Sequence, residues 1–145
     1  MNIAVFCSGS GTNLQAIIDS QKKGYIKAEI KLVVSDMPDC YALTRAKNAG
    51  IKTVVVERKN YKVKKDFEAE IINTLKKEGI GLIVLAGYMR MLSEDFIKAY
   101  ENKILNIHPA LLPSFKGTRG IKDAFEYGVK VTGPTVHFVT VDMDA

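Results

Sequence analysis

The alternation of short apolar runs with amphipathic segments restricts this chain more than any other feature. Six runs read as strands: Asn2 to Cys7, Ala28 to Ser35, Ile51 to Val56, Leu82 to Ala86, Lys103 to His108, and Val131 to Val141, the last interrupted by Gly133-Pro134. Between them lie helical patterns. Leu14, Ile17 and Ile18 share one face of Asn13 to Lys23, and Phe67, Ile71, Ile72 and Leu75 form one stripe of Val63 to Lys77. Shorter helices are expected over Tyr41 to Ala49, after Ser93 with Glu94 and Asp95 in the first turn, and near Lys122 to Tyr127. Gly24, Gly50 and Gly79 stand where helices end. This order predicts an α/β fold, a mainly parallel sheet with helices on both faces.

The chain has 145 residues, and residues 1–145 read as one domain without repeat or linker. A chain this long buries roughly 70% of its unfolded surface. Its last strand ends close to Ala145 with no closing helix, which leads us to expect further chain beyond that point.

No apolar run nears the ~20 residues of a membrane span, and the start lacks the basic segment of a signal peptide. Cys7 and Cys40 form neither a disulfide framework nor a metal spacing. The expectation is a reduced, cytoplasmic protein without membrane contact. The net charge of +5 lies largely in Lys59, Lys62, Lys64, Lys65 and scattered helix lysines. These lack the arginine and aromatic grouping of a nucleic-acid reader. Solvated helix faces account for most of them, and a mildly positive surface suits small anionic substrates.

Ser8-Gly9-Ser10-Gly11-Thr12-Asn13 joins the first strand to the first helix. In a parallel sheet that junction lies at the carboxyl end, where ligands bind. Free N–H groups at the helix start, with the hydroxyls of Ser10 and Thr12 and the amide of Asn13, fit a phosphate. A tight turn without ligand would look the same. A dinucleotide is disfavoured, because the third glycine of that fingerprint is replaced by Leu14. Asp36, at the end of the second strand, stands where an acid could hold a cofactor ribose and keeps that alternative open.

Ile104 to Pro109 is the most informative stretch. Alternation puts Asn106 and His108 on one face and Leu105 and Ile107 on the other. An Asn amide can donate to a developing oxyanion, and a histidine can move a proton near neutral pH. A structural pair of the same residues fits equally well. Asp142 and Asp144 follow the sixth strand, and a carboxylate near His108 would favour its protonated form. Asn, His and Asp together suit acyl transfer to an amine without a covalent intermediate. A nucleophilic serine is not supported, since Gly-x-Ser-x-Gly is absent. Both cysteines read as inert, and His108 and His137 have no metal-ligand spacing.

These motifs carry a resemblance. Residues 8–17 (Ser-Gly-Ser-Gly-Thr-Asn-Leu-Gln-Ala-Ile), 85–92 (Leu-Ala-Gly-Tyr-Met-Arg-Met-Leu), 106–113 (Asn-Ile-His-Pro-Ala-Leu-Leu-Pro) and 135–139 (Thr-Val-His-Phe-Val) together resemble the folate-dependent formyltransferases of the phosphoribosylglycinamide type. The resemblance implies a Rossmann-like three-layer fold with a late antiparallel strand. It implies transfer of a formyl group from 10-formyltetrahydrofolate to glycinamide ribonucleotide in purine synthesis, with no metal. Gly11, Thr12 and Asn13 would bind the substrate phosphate. Lys64, Met89, Arg90, Met91, Leu92 and Asn106 would border the folate, as would Thr140, Val141, Asp142, Met143 and Asp144. Asn106, His108 and Asp144 would be catalytic. The partners are then small molecules, with the chain a monomer or homodimer.

Thr118-Arg119-Gly120 departs from the family, many of whose members carry a histidine there. The family also continues past Asp144, which raises the expectation of a fragment. The other readings kept open are a nucleotide-binding module and an inactive truncated fragment. A transfer-RNA formyltransferase would be expected to add a basic C-terminal domain, and a formyltetrahydrofolate hydrolase an N-terminal regulatory one.

Overall fold

The first strand, β1 (Asn2–Cys7), is apolar on both faces, and from Ile3 to Cys7 it has no exposure at all. Strands buried on both sides belong in the middle of a parallel sheet. The computed structural model, which describes residues 1–107, 131–133 and 136–139, puts β1 there. β1 pairs in parallel with β2 (Glu29–Ser35) and with β4 (Leu82–Ala86). Outside these lie β3 (Lys52–Val55) on β2 and β5 (Ile104–Ile107) on β4, also parallel. The order β3-β2-β1-β4-β5 continues into β7 (Val136–Phe138) and β6 (Val131–Gly133).

β7 runs antiparallel to β5, as the late strand of the resemblance implies. The single strand expected over Val131 to Val141 is instead two strands that pair antiparallel with each other. The Gly133-Pro134 step separates them, at residues suited to a turn rather than to a continuous ladder. The helix expected near Lys122 to Tyr127 and the loop from Ala110 to Gly120 lie outside the described residues.

Helices α1 (Thr12–Lys22) and α2 (Tyr41–Asn48) cover one face. Leu14, Ile17 and Ile18 of α1 and Ala42, Leu43 and Ala46 of α2 pack on Ile3, Val5, Val33, Val84, Leu105 and Ile107. Helices α3 (Lys64–Lys77) and α4 (Glu94–Ala99) cover the other. There Phe67, Ile71, Leu75 and Phe96 pack on Phe6, Leu32, Val34, Ile83 and Ile104. Each large side chain fully buried in these clusters contributes about 1.5–3 kcal/mol. As its sequence position predicts, Ser93 caps α4, its hydroxyl accepting the Phe96 N–H at 3.2 Å. A short 3-10 turn, Arg58–Asn60, precedes α3.

Burial, reinforced by nearby Cys40, pushes the Cys7 thiol up to about 12. The thiolate is the reacting form. Iodoacetamide at pH 8 should therefore alkylate the half-buried Cys40 and leave Cys7 until the protein is unfolded. Mass spectrometry checks this as one adduct on the native protein and two on the denatured one.

Candidate functional site

The parallel strands β1, β2 and β4 deliver their following turns to one edge of the sheet, at which β5 also ends. β1 sits between β2 and β4, so the connections leaving β1 and β4 diverge to opposite faces. That divergence opens the crevice in which ligands of such sheets bind.

The turn after β1 leads into α1 on one face. Gly11, with φ 80°, is the N-cap of α1 and supplies no side-chain cap, and the first turn of α1 carries no acid. The first N–H groups of α1 are left open to an anion, in the partial positive field of the helix start. Thr12 is exposed, while Asn13 is buried, and its Oδ1 is buried without a partner. That oxygen is an acceptor, so it fits a donor group of a ligand or a water rather than an anion. The turn is also fixed from behind. The Ala42 N–H donates to the Gly9 carbonyl at 3.0 Å, and Arg45 Nε donates to the Ser10 carbonyl at 2.8 Å. Arg45 lies 4.8 Å over the Tyr41 ring, which places a cation beside the turn.

On β5, Leu105 and Ile107 join the cluster under α1 and α2, whereas Ile104 joins the one under α3 and α4. Alternation puts the half-buried Asn106 on the face of Ile104, as the sequence predicts. Leu92, Tyr88 and Val139 pack on that same cluster. Asn106 is registered between Leu85 of β4 and His137 of β7.

The segment after β4 starts at Gly87. Met89 and Met91 are 78% and 82% exposed, large apolar side chains left in solvent beside the crevice. Leu92 is half-buried. Arg90 does not point freely outward, because its Nε donates to Asp36 Oδ2 at 3.1 Å. The other oxygen of Asp36 accepts from Ser8 Oγ at 2.5 Å. With both oxygens taken and its side chain 3% exposed, Asp36 is committed to these partners, which removes the ribose-binding role that kept a dinucleotide in view.

Lys64 opens α3 and borders a cleft of about 290 Å³ between α3 and the start of α4. Ile72, Ala69 and Phe96 line it, with Glu68 and Ser93 as polar neighbours. Burial raises the Tyr88 hydroxyl far above its ordinary range, and nearby Asp36 adds to the effect, so Tyr88 is neutral.

The structure thus brings Gly11, Thr12, Asn13, Asn106 and Met89 to Leu92 around one edge and the adjoining α3/α4 face. His108, Thr140, Val141, Asp142, Met143 and Asp144 lie outside the described residues. Among the described residues no group of three or more His, Cys, Asp or Glu could hold a metal, and no helix is long and apolar enough to cross a membrane. Arg45 and Glu68 were not anticipated as site neighbours, and Asp36, expected as a possible ribose holder, instead binds Ser8 and Arg90. Each acts through a partner distant in sequence, a signal that spacing does not carry.

Comparison with known proteins fits this geometry. The model of a family described as "Formyl transferase" matches residues 1–145. The chain is 43% identical to phosphoribosylglycinamide formyltransferase of Bacillus subtilis, over 97% of this chain and 72% of that protein. It is 49% identical, over its whole length, to the trifunctional purine biosynthetic protein adenosine-3 of Gallus gallus, of which it spans only 14%. The crystal structure of glycinamide ribonucleotide transformylase 1 from Geobacillus kaustophilus superposes with a TM-score of 0.80 at 46% identity, covering 99% of this chain and 77% of that one.

Proposed function

The chain belongs to the formyl transferase family, with the phosphoribosylglycinamide formyltransferases, and from that premise we propose that it formylates glycinamide ribonucleotide at the expense of 10-formyltetrahydrofolate in purine synthesis. One observation carries the reading. An uncapped helix start and a strand-end asparagine share one sheet edge, at the crevice between diverging connections.

In this reading Gly11, Thr12 and Asn13 hold the ribonucleotide phosphate through the open N–H groups of α1. The folate lies on the α3/α4 face against Met89, Arg90, Met91 and Leu92, with Lys64 toward its carboxylate end and residues 140–144 along the pterin. The substrate amine attacks the formyl carbon, forming a C–N bond and moving the carbonyl electrons onto oxygen. Asn106 and protonated His108 donate to that oxygen, with Asp144 as the carboxylate that keeps the imidazole charged. The oxyanion then collapses, the bond to the folate nitrogen breaks, and the amine's proton passes to that nitrogen. No step needs an enzyme nucleophile or a metal. The reaction belongs in the cytoplasm, where both substrates are dissolved small molecules.

The test is a formyl-transfer assay, read as formation of tetrahydrofolate with formylglycinamide ribonucleotide, alongside calorimetric titration with NAD. Turnover with saturable dependence on both substrates and no heat from NAD is expected. NAD binding without affinity for glycinamide ribonucleotide would favour a dinucleotide module and end this reading.

A further inference from the structure

We propose that Asp36 and Glu68, both outside the segment 89–92, are positioning residues that hold the two ends of that segment and so set affinity for the formyl donor. The proposal builds on the reading above, in which residues 89–92 border the folate. From Gly87 to Ser93 the chain has no helix or strand to stiffen it. Loops of this kind open readily when little holds them. Here both ends are held by carboxylates that are each only 5% exposed.

At the first end, Asp36 accepts from Ser8 Oγ at 2.5 Å, and Ser8 Oγ accepts the Met89 N–H at 2.8 Å. The second Asp36 oxygen takes Arg90 Nε at 3.1 Å. The Ser8 N–H donates to the Gly87 carbonyl at 3.1 Å, and the Tyr88 ring stands edge-on to Phe6 with centroids 5.2 Å apart. At the second end, Glu68 of α3 accepts the Ser93 N–H at 2.9 Å through one oxygen and the Ser93 hydroxyl through the other. All four carboxylate oxygens are thus occupied by one short segment or by its bridging serine.

A carboxylate is expensive to bury, and a mere connection between β4 and α4 would not require two of them. What they fix is a stretch whose own Met89 and Met91 remain in solvent. An apolar surface held open before its ligand arrives needs less ordering on binding. Ser8 also precedes the phosphate turn directly, so the first anchor ties the folate wall to the turn on the opposite face.

The near-isosteric variants Asp36→Asn and Glu68→Gln test this in the full chain. Each should raise KM for the formyl donor about 10-fold or more, with kcat and KM for glycinamide ribonucleotide within about twofold of the parent, the pattern of lost uniform binding. Amide hydrogen exchange should quicken in residues 88–93 while β1 and β4 keep their protection. Unchanged exchange at 88–93 in both variants would overturn the anchoring, whether or not the parent transfers formyl groups. Faster exchange there with unchanged donor KM would overturn its link to affinity. A parent inert toward formyl folate would instead remove the functional reading itself.

Discussion

Asn106→Ala should lower kcat by about 10²–10³-fold, a barrier rise of about 3–4 kcal/mol, while leaving KM for both substrates near the parent values. Asn106 is half-buried in β5, and its backbone is registered with Leu85 on one side and His137 on the other. The sheet therefore holds this position whatever side chain it carries, and the change removes a donor without removing a core residue. The donor's value lies in the transition state, where charge gathers on the formyl oxygen, which is why kcat responds and KM does not. His108→Ala should act in the same direction, leaving phosphate binding nearly intact. The double variant should lose much less than the product of the two, because donors to one oxygen act as a unit. Steady-state kinetics decide the matter: an Asn106→Ala protein with a parental kcat would remove this residue from the chemistry.

Gly11→Ala should destabilise the fold by about 3 kcal/mol or more and weaken phosphate binding with it. Two causes add. Gly11 has φ 80°, in the left-handed region that costs a side chain roughly 1–2 kcal/mol. A methyl group there would also lie 2.7 Å from the Cα of Ala42 and 2.8 Å from its Cβ. Ala42 belongs to α2, so relief requires moving a helix rather than rotating a side chain. Gly9→Ala is the control, with nothing within 4 Å of the added carbon. It should stay within about 0.5 kcal/mol of the parent, as open surface sites do. Urea unfolding compares the two, and equal midpoints would contradict the close approach of α1 and α2.

The sheet and its covering helices were legible because each rests on local pattern. β1 is a bare apolar run, the α1 stripe of Leu14, Ile17 and Ile18 is buried as its spacing implies, and Ser93 caps α4 as its position before Glu94 and Asp95 predicts. The glycine turn and the facing of Asn106 were legible for the same reason. What pattern did not reveal was pairing across distance. Asp36 meets Ser8 across 28 residues and Arg90 across 54, so its place at a strand end suggested a ribose ligand when it serves as a tether. Glu68 interrupts nothing in the amphipathic pattern of α3, yet it is buried, because Ser93 from 25 residues onward supplies two donors. The hairpin of β6 and β7 was hidden in one apolar stretch, since periodicity tells a strand from a helix but not one strand from two.

The bond from the Met89 amide to the Ser8 hydroxyl spans 81 residues of chain. Every neighbour of β1 in the sheet is parallel to it, so no hairpin can seed that pairing and each contact waits for a long loop to close. Such chains acquire structure slowly. The ligand crevice, lined by turns after β1 and β4, exists only once these distant strands have met. Refolding followed by recovery of substrate binding should therefore trail recovery of helical signal, making competence for small molecules among the last properties a newly made chain attains.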